Sequence, residues 1–541
     1  MRYLTATAAS VAGALALAAP AMAVDYPAPA TPQVQGKPAG PHHTLKVGGK
    51  GARYHTIQAA VDAARPGDTV KVAHGTYHEG VVVRGAGKRY IKIIGDPAHP
   101  EKVVLDGKGV KGPRAQNGIL VNGANEVTIR GLTATHYLGN GFFMVNDDGY
   151  TLANLRAMQT GVYGLYAFNT RGGTMRDSEA AWNNDGGLYI GQTPPQAKPK
   201  RSLVTGIKSY GNVLGFSGTN MRYVTITKSQ FFNNGTGIVP NALDTEKFAP
   251  PEENIIVDND IFWNNFNYYA GAPFKLRGSA TSVPYPVGVG VLLFGGRHNK
   301  VERNRVYGNW LVGIGALQQL LLKQKDAQDL VDNSVRFNQM GMGGADPNGR
   351  DLFYDGNGSG NCFSDNVGVK TLSPADGSTF AACPFTGANT FSPEAQGKAV
   401  GWAVDADHEQ DWIRGPHVAK QGLTPMVRYT KPARASRAGQ VTAAARASAA
   451  SVARRTVTIR DYYYAPGKLT VKRGTTLVWR WPDGGGDSHD VELTRGPKGV
   501  RPFASDIANT GYVFKRRLTK PGTYVFDCSL HPEMAMQVKV R

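Results

Sequence analysis

Cysteine is nearly missing from this 541-residue chain, which carries three. Three thiols allow at most one internal disulfide and leave one sulfur to be explained. Acidic residues are also scarce, 41 against 61 Lys and Arg, so the net charge is +20. No basic helix or aromatic-interleaved basic groove accompanies this excess, so nucleic acid is not an expected partner. An acidic polysaccharide or cell-wall glycan fits the charge better. No stretch is long enough to form a transmembrane segment. The run Leu4–Ala19 is too short, and residues 311–322 are interrupted by Gln318 and Gln319. The 67 glycines show no Gly-X-Y period, which excludes collagen and favours turn-rich β structure.

Apolar residues make up 41% of the chain, enough for folded cores, and its length calls for two or more domains. Arg2, the apolar run and Ala21-Met22-Ala23 form the pattern a signal peptidase reads. Residues 1–23 are therefore expected to be a signal peptide, cleaved before Val24, and the mature protein to be secreted or otherwise extracytoplasmic. An oxidising compartment favours a disulfide between Cys362 and Cys383, which share a loop-rich segment. Cys528 is then left over, and a metal–thiolate bond accounts for it.

Residues 24–42, rich in Pro and Ala, read as a flexible lead-in. A helical face follows at Ile57, Ala60, Val61 and Ala64, stopped by Arg65-Pro66-Gly67-Asp68. From about 115 to 370 a repeat appears. Val127-Thr128-Ile129-Arg130, Tyr150-Thr151-Leu152-Ala153 and Gly173-Thr174-Met175-Arg176 start 23 residues apart. Ser202-Leu203-Val204-Thr205 and Tyr223-Val224-Thr225-Ile226 continue the series. Asparagine pairs bracket short strands at Asn259 and Asn264, Asn304 and Asn309, and Asn333 and Asn338. Short strands with asparagine at the bends suit one coil of a parallel β-helix, where stacked amides bond from coil to coil. Thr56-Ile57-Gln58-Ala59-Ala60-Val61, Pro66-Gly67-Asp68-Thr69-Val70 and Gly75-Thr76-Tyr77 resemble the opening of pectin-lyase-like right-handed β-helix proteins. The resemblance implies a cap helix over the open coil end, a β-helix over 43–390 and a tail over 391–430.

Residues 431–455 are mostly Ala, Arg, Ser and Thr and read as a linker. In 456–541, Val457, Ile459, Leu469, Val471, Leu477 and Trp479 alternate with polar neighbours, the pattern of a small sandwich. There Gly522-Thr523-Tyr524-Val525-Phe526 leads into Cys528, His531 and Met534, and His489 stands 39 residues upstream of the cysteine. One thiolate, two imidazoles and a weak thioether suit both oxidation states of copper, whereas zinc accepts methionine poorly. Together with Tyr464-Ala465-Pro466 and the stretch Gly474 to Trp479, these residues resemble the plastocyanin–azurin family, with ligand spacing closest to the amicyanin type. The resemblance implies a Greek-key cupredoxin sandwich and one type 1 copper. His489, Cys528 and His531 would be equatorial and Met534 axial; Met536 is the weaker axial candidate. Family members often carry an asparagine after the first histidine, bonded across to the residue after the cysteine. Here those positions are Asp490 and Ser529.

The expected chain is thus all-β: a right-handed parallel β-helix followed by a cupredoxin. Its expected function is one-electron transfer or copper handling with a redox partner, the β-helix binding a glycan or protein surface. The alternative is a polysaccharide lyase, hydrolase or epimerase with a copper appendage. For that reading the candidate groups are Asp147, Asp148, Asp185, Asp258, Asp260, Lys275, Arg303 and Arg305. Aspartates at coil bends more often cap backbone, so no catalytic motif is assigned.

Overall fold

The computed structural model describes residues 35–269, 272, 285–404, 453–482, 487–531 and 534–541. The expected signal peptide, Lys275 and most of the linker lie outside them. Among the described residues no helix is long and apolar enough to cross a membrane.

Three long parallel sheets of 12, 11 and 10 strands run through residues 44–373. Each coil contributes a strand to each sheet, which makes a parallel β-helix. Its interior holds residues that recur in register, such as Phe142, Leu165 and Leu188 in the 11-stranded sheet, all fully buried. The cap helix is Ile57–Ala63, shorter than its apolar pattern because Ala64 is already extended. Thr56 caps it, and the Glu79 carboxylate accepts from the amides of Ile57 and Gln58 at 2.7 and 3.0 Å. Ile57, Ala60 and Val61 thereby cover the end of the coil interior.

The repeats read from sequence stack as strands of the 12-stranded sheet, with one slip. Val127 pairs with Tyr150, and Thr174 with Leu203, as the alignment requires. Ser202, however, pairs with Val224 rather than Tyr223. Tyr223 has φ 57° and belongs to the preceding bend.

The asparagines form hydrogen-bonded ladders, and the apparent pairs are parts of triplets. Asn259 bonds to Asn304 and Asn304 to Asn338, while Asn264 bonds to Asn309 and Asn309 to Asn348. A third ladder links Asn254, Asn299, Asn333 and Asn361. Asn304 is fully buried and accepts from both the backbone amide and the side-chain amide of Asn259, at 3.1 and 3.0 Å. Asn304→Ala orphans that buried amide and the Ile256 carbonyl that the side chain serves. The expected loss is about 2–4 kcal/mol, read as a lower urea midpoint, with metal binding at the far domain unchanged. An unchanged midpoint would show the ladder to be passive.

A row of glycines escaped the sequence reading. Gly118, Gly141, Gly164 and Gly187 occupy one position in successive strands of the 11-stranded sheet. A Cβ at Gly141 or Gly164 would stand 2.7 Å from the carbonyl oxygen of the next glycine in the row. Each coil backbone therefore closes directly on its neighbour.

Cys362 and Cys383 form a disulfide, with Cα atoms 4.9 Å apart. Beyond it, helix Pro393–Val404 sets Trp402 against Phe353 of the 11-stranded sheet, ring centroids 5.2 Å apart. The expected tail thus begins as a packed helix.

The C-terminal unit is a sandwich of two four-stranded sheets. Strands Arg454–Arg460 and Thr476–Arg480 run parallel, as do Lys468–Val471 and Ala535–Val540. The alternation read from sequence points inward: Val457, Leu477 and Trp479 are fully buried, joined by Phe526 and Val538.

This sandwich packs onto the outer face of the β-helix. Leu120, Phe143, Tyr166, Phe168 and Tyr189 share one apolar cluster with the sandwich core. The Gln116 side-chain amide donates to the Thr510 carbonyl at 2.9 Å and accepts from the Asn509 amide at 3.1 Å. The Asn509 side chain donates to the Leu138 carbonyl at 3.0 Å.

Candidate metal centre

Strand Gly522–Asp527 delivers Cys528 to one end of the sandwich, and the turn after it carries His531. His489 arrives on another segment, held by reciprocal backbone bonds to Ala508 at 2.8 and 3.0 Å. The ligand atoms of His489, Cys528 and His531 all lie within 4.8 Å of one another, and all three residues are buried. Cys528 Sγ stands 3.9 Å from His489 Nδ1 and 3.6 Å from His531 Nδ1. A metal in a trigonal plane with ordinary bonds to one sulfur and two nitrogens separates sulfur from nitrogen by about 3.8 Å. The donor set therefore fits a metal ion.

Met534 is buried beside this group, and its carbonyl accepts from the Cys528 amide at 2.9 Å. Met536 is committed elsewhere: its sulfur accepts from Trp479 Nε1 at 3.2 Å on the core side. The departure at Asp490 and Ser529 preserves the cross-link expected of an asparagine. Asp490 accepts from both the amide and the hydroxyl of Ser529, each at 2.7 Å. Tyr464 ties the early strand to the same segment by donating to the Asp490 carbonyl at 2.7 Å.

Burial sets the protonation of this group. It pushes the Cys528 thiol well above its usual range, and the Asp490 carboxylate adds to the shift. A metal must therefore displace a proton from the sulfur. His531 is held well below the usual imidazole range, first by burial, then by His489 and by Lys247 of the β-helix. It is neutral at pH 7 and ready to donate its lone pair. Asp490 is raised by its own burial despite the bonds from Ser529.

Three residues around the site were not read from sequence. Asp461 Oδ1 stands 3.2 Å from His489 Nε2 and so fixes the ring with Nδ1 toward the sulfur. Tyr462, hydrogen-bonded to Asp487, sets its ring 5.1 Å from that of His531. Phe168 comes from the β-helix and lies 6.1 Å from the His531 ring. Nothing local to the ligand motif signals it.

Residues 452–541 match the family model of copper binding proteins, plastocyanin/azurin family. Residues 74–222 and 117–272 match that of the right handed beta helix region. The chain joins a parallel β-helix to a β-sandwich that matches the plastocyanin/azurin copper-binding model. Similar solved structures divide the same way. The reduced Cu(I) form at pH 4 of an amicyanin mutant is 27% identical, covering 16% of this chain and 80% of its own, with a TM-score of 0.15. A pseudoazurin from Sinorhizobium meliloti is 20% identical over 16% of this chain and 73% of its own, TM-score 0.14. The A-module of a mannuronan C-5 epimerase from Azotobacter vinelandii is 17% identical over 58% of this chain and 86% of its own, TM-score 0.38. Among curated proteins none matches.

Of the polysaccharide-enzyme candidates on the β-helix, Asp258, Asp260, Arg303 and Arg305 share one open groove, while Asp147, Asp148 and Asp185 lie outside it. Asp258 is bound by Arg303 at 2.9 Å and Asp260 by Arg305 at 2.5 and 2.6 Å. Asp148 faces Arg171 at 3.5 Å, and the buried Asp147 accepts from the Ala124 amide at 2.7 Å. Asp185 is buried on the 11-stranded sheet's side of its coil, away from the Asp258 and Asp260 row. These aspartates serve ion pairs and bends.

Proposed function

We propose that the protein binds one copper ion in a type 1 site and uses it for one-electron transfer or copper handling outside the cytoplasm. His489, Cys528 and His531 would hold the ion, with Met534 as a weaker fourth donor. The observation that carries this reading is the buried convergence of one sulfur and two imidazole nitrogens at 3.6 and 3.9 Å, from segments 39 residues apart. When bound, copper supplies a one-electron couple. The chain's part is to hold the donors in one geometry for both oxidation states, through Asp461 on His489, the Asp490–Ser529 cross-link and the packing around Met534. The disulfide is compatible with an oxidising compartment. The β-helix supplies a long rigid surface for a glycan. The test is the visible spectrum of the protein after Cu(II) is added. An intense band at roughly 600 nm is the expected signature of thiolate-to-copper charge transfer. Its absence with Cu(II) bound would overturn the type 1 assignment.

A further inference from the structure

One cavity lies on the seam between the two units. It measures about 320 Å³, and its wall takes Val82, Arg84 and Arg114 from the β-helix and Asp506 and Ile507 from the sandwich. That volume falls within the range of small-molecule sites, about 300–1,000 Å³. Pockets between packed units are frequent ligand sites, because each unit can close one side of the ligand.

Its charged groups are unequally satisfied. Three cations, Arg84, Lys88 and Arg114, face two carboxylates, Asp62 and Asp506. Asp62 accepts from Gln58 Nε2 at 2.7 Å. Lys88 Nζ donates to the carbonyls of Asp62 and Ala64 at 2.8 and 2.6 Å, which ties it to the cap helix. Arg84 reaches across the seam to Asp506, but the contact is 3.4 Å long and both side chains are about half exposed. Such a pair is weak and readily exchanged for a better one. Arg114 has no ion-pair partner among the described residues. Its Nη1 donates to Gln58 Oε1 at 2.5 Å and to the Gly80 carbonyl at 3.1 Å. Those two bonds hold the guanidinium in place and leave its Nε and Nη2 donors unspent. That edge receives a carboxylate side-on through two parallel bonds.

The apolar part of the wall is Val82, Leu120 and Ile507. Leu120 and Ile507 belong to the cluster that the two units share. The cavity thus sets two guanidinium groups beside a short apolar floor.

We infer that this seam cavity binds a small carboxylate with an apolar body, of the aromatic-acid class. Arg114 receives the carboxylate and Arg84 turns to it from Asp506, while Val82, Leu120 and Ile507 receive the body. A bare anion would leave the apolar wall unused, and a neutral molecule would leave Arg114 unpaired. The ligand touches both units, so its binding favours the docked arrangement by mass action. The inference goes beyond the copper reading and stands independently of it.

The test titrates benzoate into the full chain by calorimetry at constant salt, with benzyl alcohol and inorganic phosphate as comparison ligands. Arg84→Gln with Arg114→Gln removes the two guanidinium groups. Lys515→Gln with Lys539→Gln, at exposed positions of the copper domain, matches the loss of charge. Ile507→Ala removes apolar wall on the sandwich side. Benzoate is expected to bind at least tenfold more tightly than either comparison ligand. Its Kd should weaken at least tenfold in the arginine variant, at least threefold in Ile507→Ala and less than twofold in the control. Benzoate that fails to bind, or binds no better than phosphate, would overturn the proposal. Equal weakening in the arginine variant and the control would reduce the effect to net charge and overturn the cavity. An unchanged Kd in Ile507→Ala would put the site on the β-helix alone and overturn its place at the seam. Circular dichroism spectra that match the parent's confirm the fold of each variant.

Discussion

A chain carrying Cys528→Ser loses the roughly 600 nm absorption completely. A serine hydroxyl is too weak an acid to be displaced into an alkoxide at neutral pH, and oxygen lacks the soft, polarisable electrons behind the charge-transfer band. Copper affinity should fall by more than the ~10–100-fold that loss of a supporting group costs, because a direct ligand is gone. The apo fold should survive, since the replacement is nearly isosteric and the Cys528 backbone bond to Met534 remains. Two neighbouring variants separate the sulfurs. Met534→Leu should keep the band and raise the potential, because Cu(II) loses a weak donor. Met536→Leu should leave both unchanged, because that sulfur is turned to Trp479. The measurement is absorption and equilibrium copper titration on all three. A band that persists in Cys528→Ser, or vanishes in Met536→Leu, would overturn the ligand set.

The copper domain was legible because its chemistry is concentrated. Cys528, His531 and Met534 lie within seven residues, and the alternation of Val457, Ile459, Leu477 and Trp479 fixes which faces turn inward. The β-helix was legible as a repeat but less so in register. Asn333 and Asn338 look like the partners of Asn259 and Asn264, yet Asn338 stacks on Asn304 and Asn333 on Asn299. Pairs drawn from a triplet can be aligned in two ways, and sequence spacing alone does not choose. The glycine row was present in the sequence, at 118, 141, 164 and 187, with the same 23-residue step as the strands. It was hidden because glycine is common throughout the chain. The docking of the two units was the largest omission. Its signal was the composition of strands Asn140–Val145 and Tyr163–Phe168, which are apolar on both faces. A strand buried on one face alternates; one with Phe142 and Phe143 adjacent, or Leu165 and Tyr166, is covered on both.

That docking leads to the second large effect. His531 is only 5% exposed, and its ring meets Phe168 of the β-helix and Tyr462 of its own domain. An external redox partner therefore cannot reach the His531 edge directly while the two units are docked. Electrons must cross the added layer of aromatic rings, and tunnelling rates fall steeply with each ångström. Separating the units should make copper exchange electrons faster with a bulky outer-sphere reductant, by at least tenfold. Phe143→Asp with Tyr166→Asp places two charges in the shared apolar cluster and is expected to separate them, since burying an unpaired carboxylate costs several kcal/mol. Both positions face outward from the coil, so the β-helix interior is untouched. A gentler pair, Gln116→Ala with Asn509→Ala, removes only the polar clamp at the seam and should give a smaller acceleration in the same direction. Stopped-flow reduction of the Cu(II) protein by hexaammineruthenium(II) reads both. Equal rates in all three proteins, with the visible band intact, would show that the β-helix does not obstruct the copper end. A tenfold gain would make the β-helix face the element that decides which partners the copper can serve.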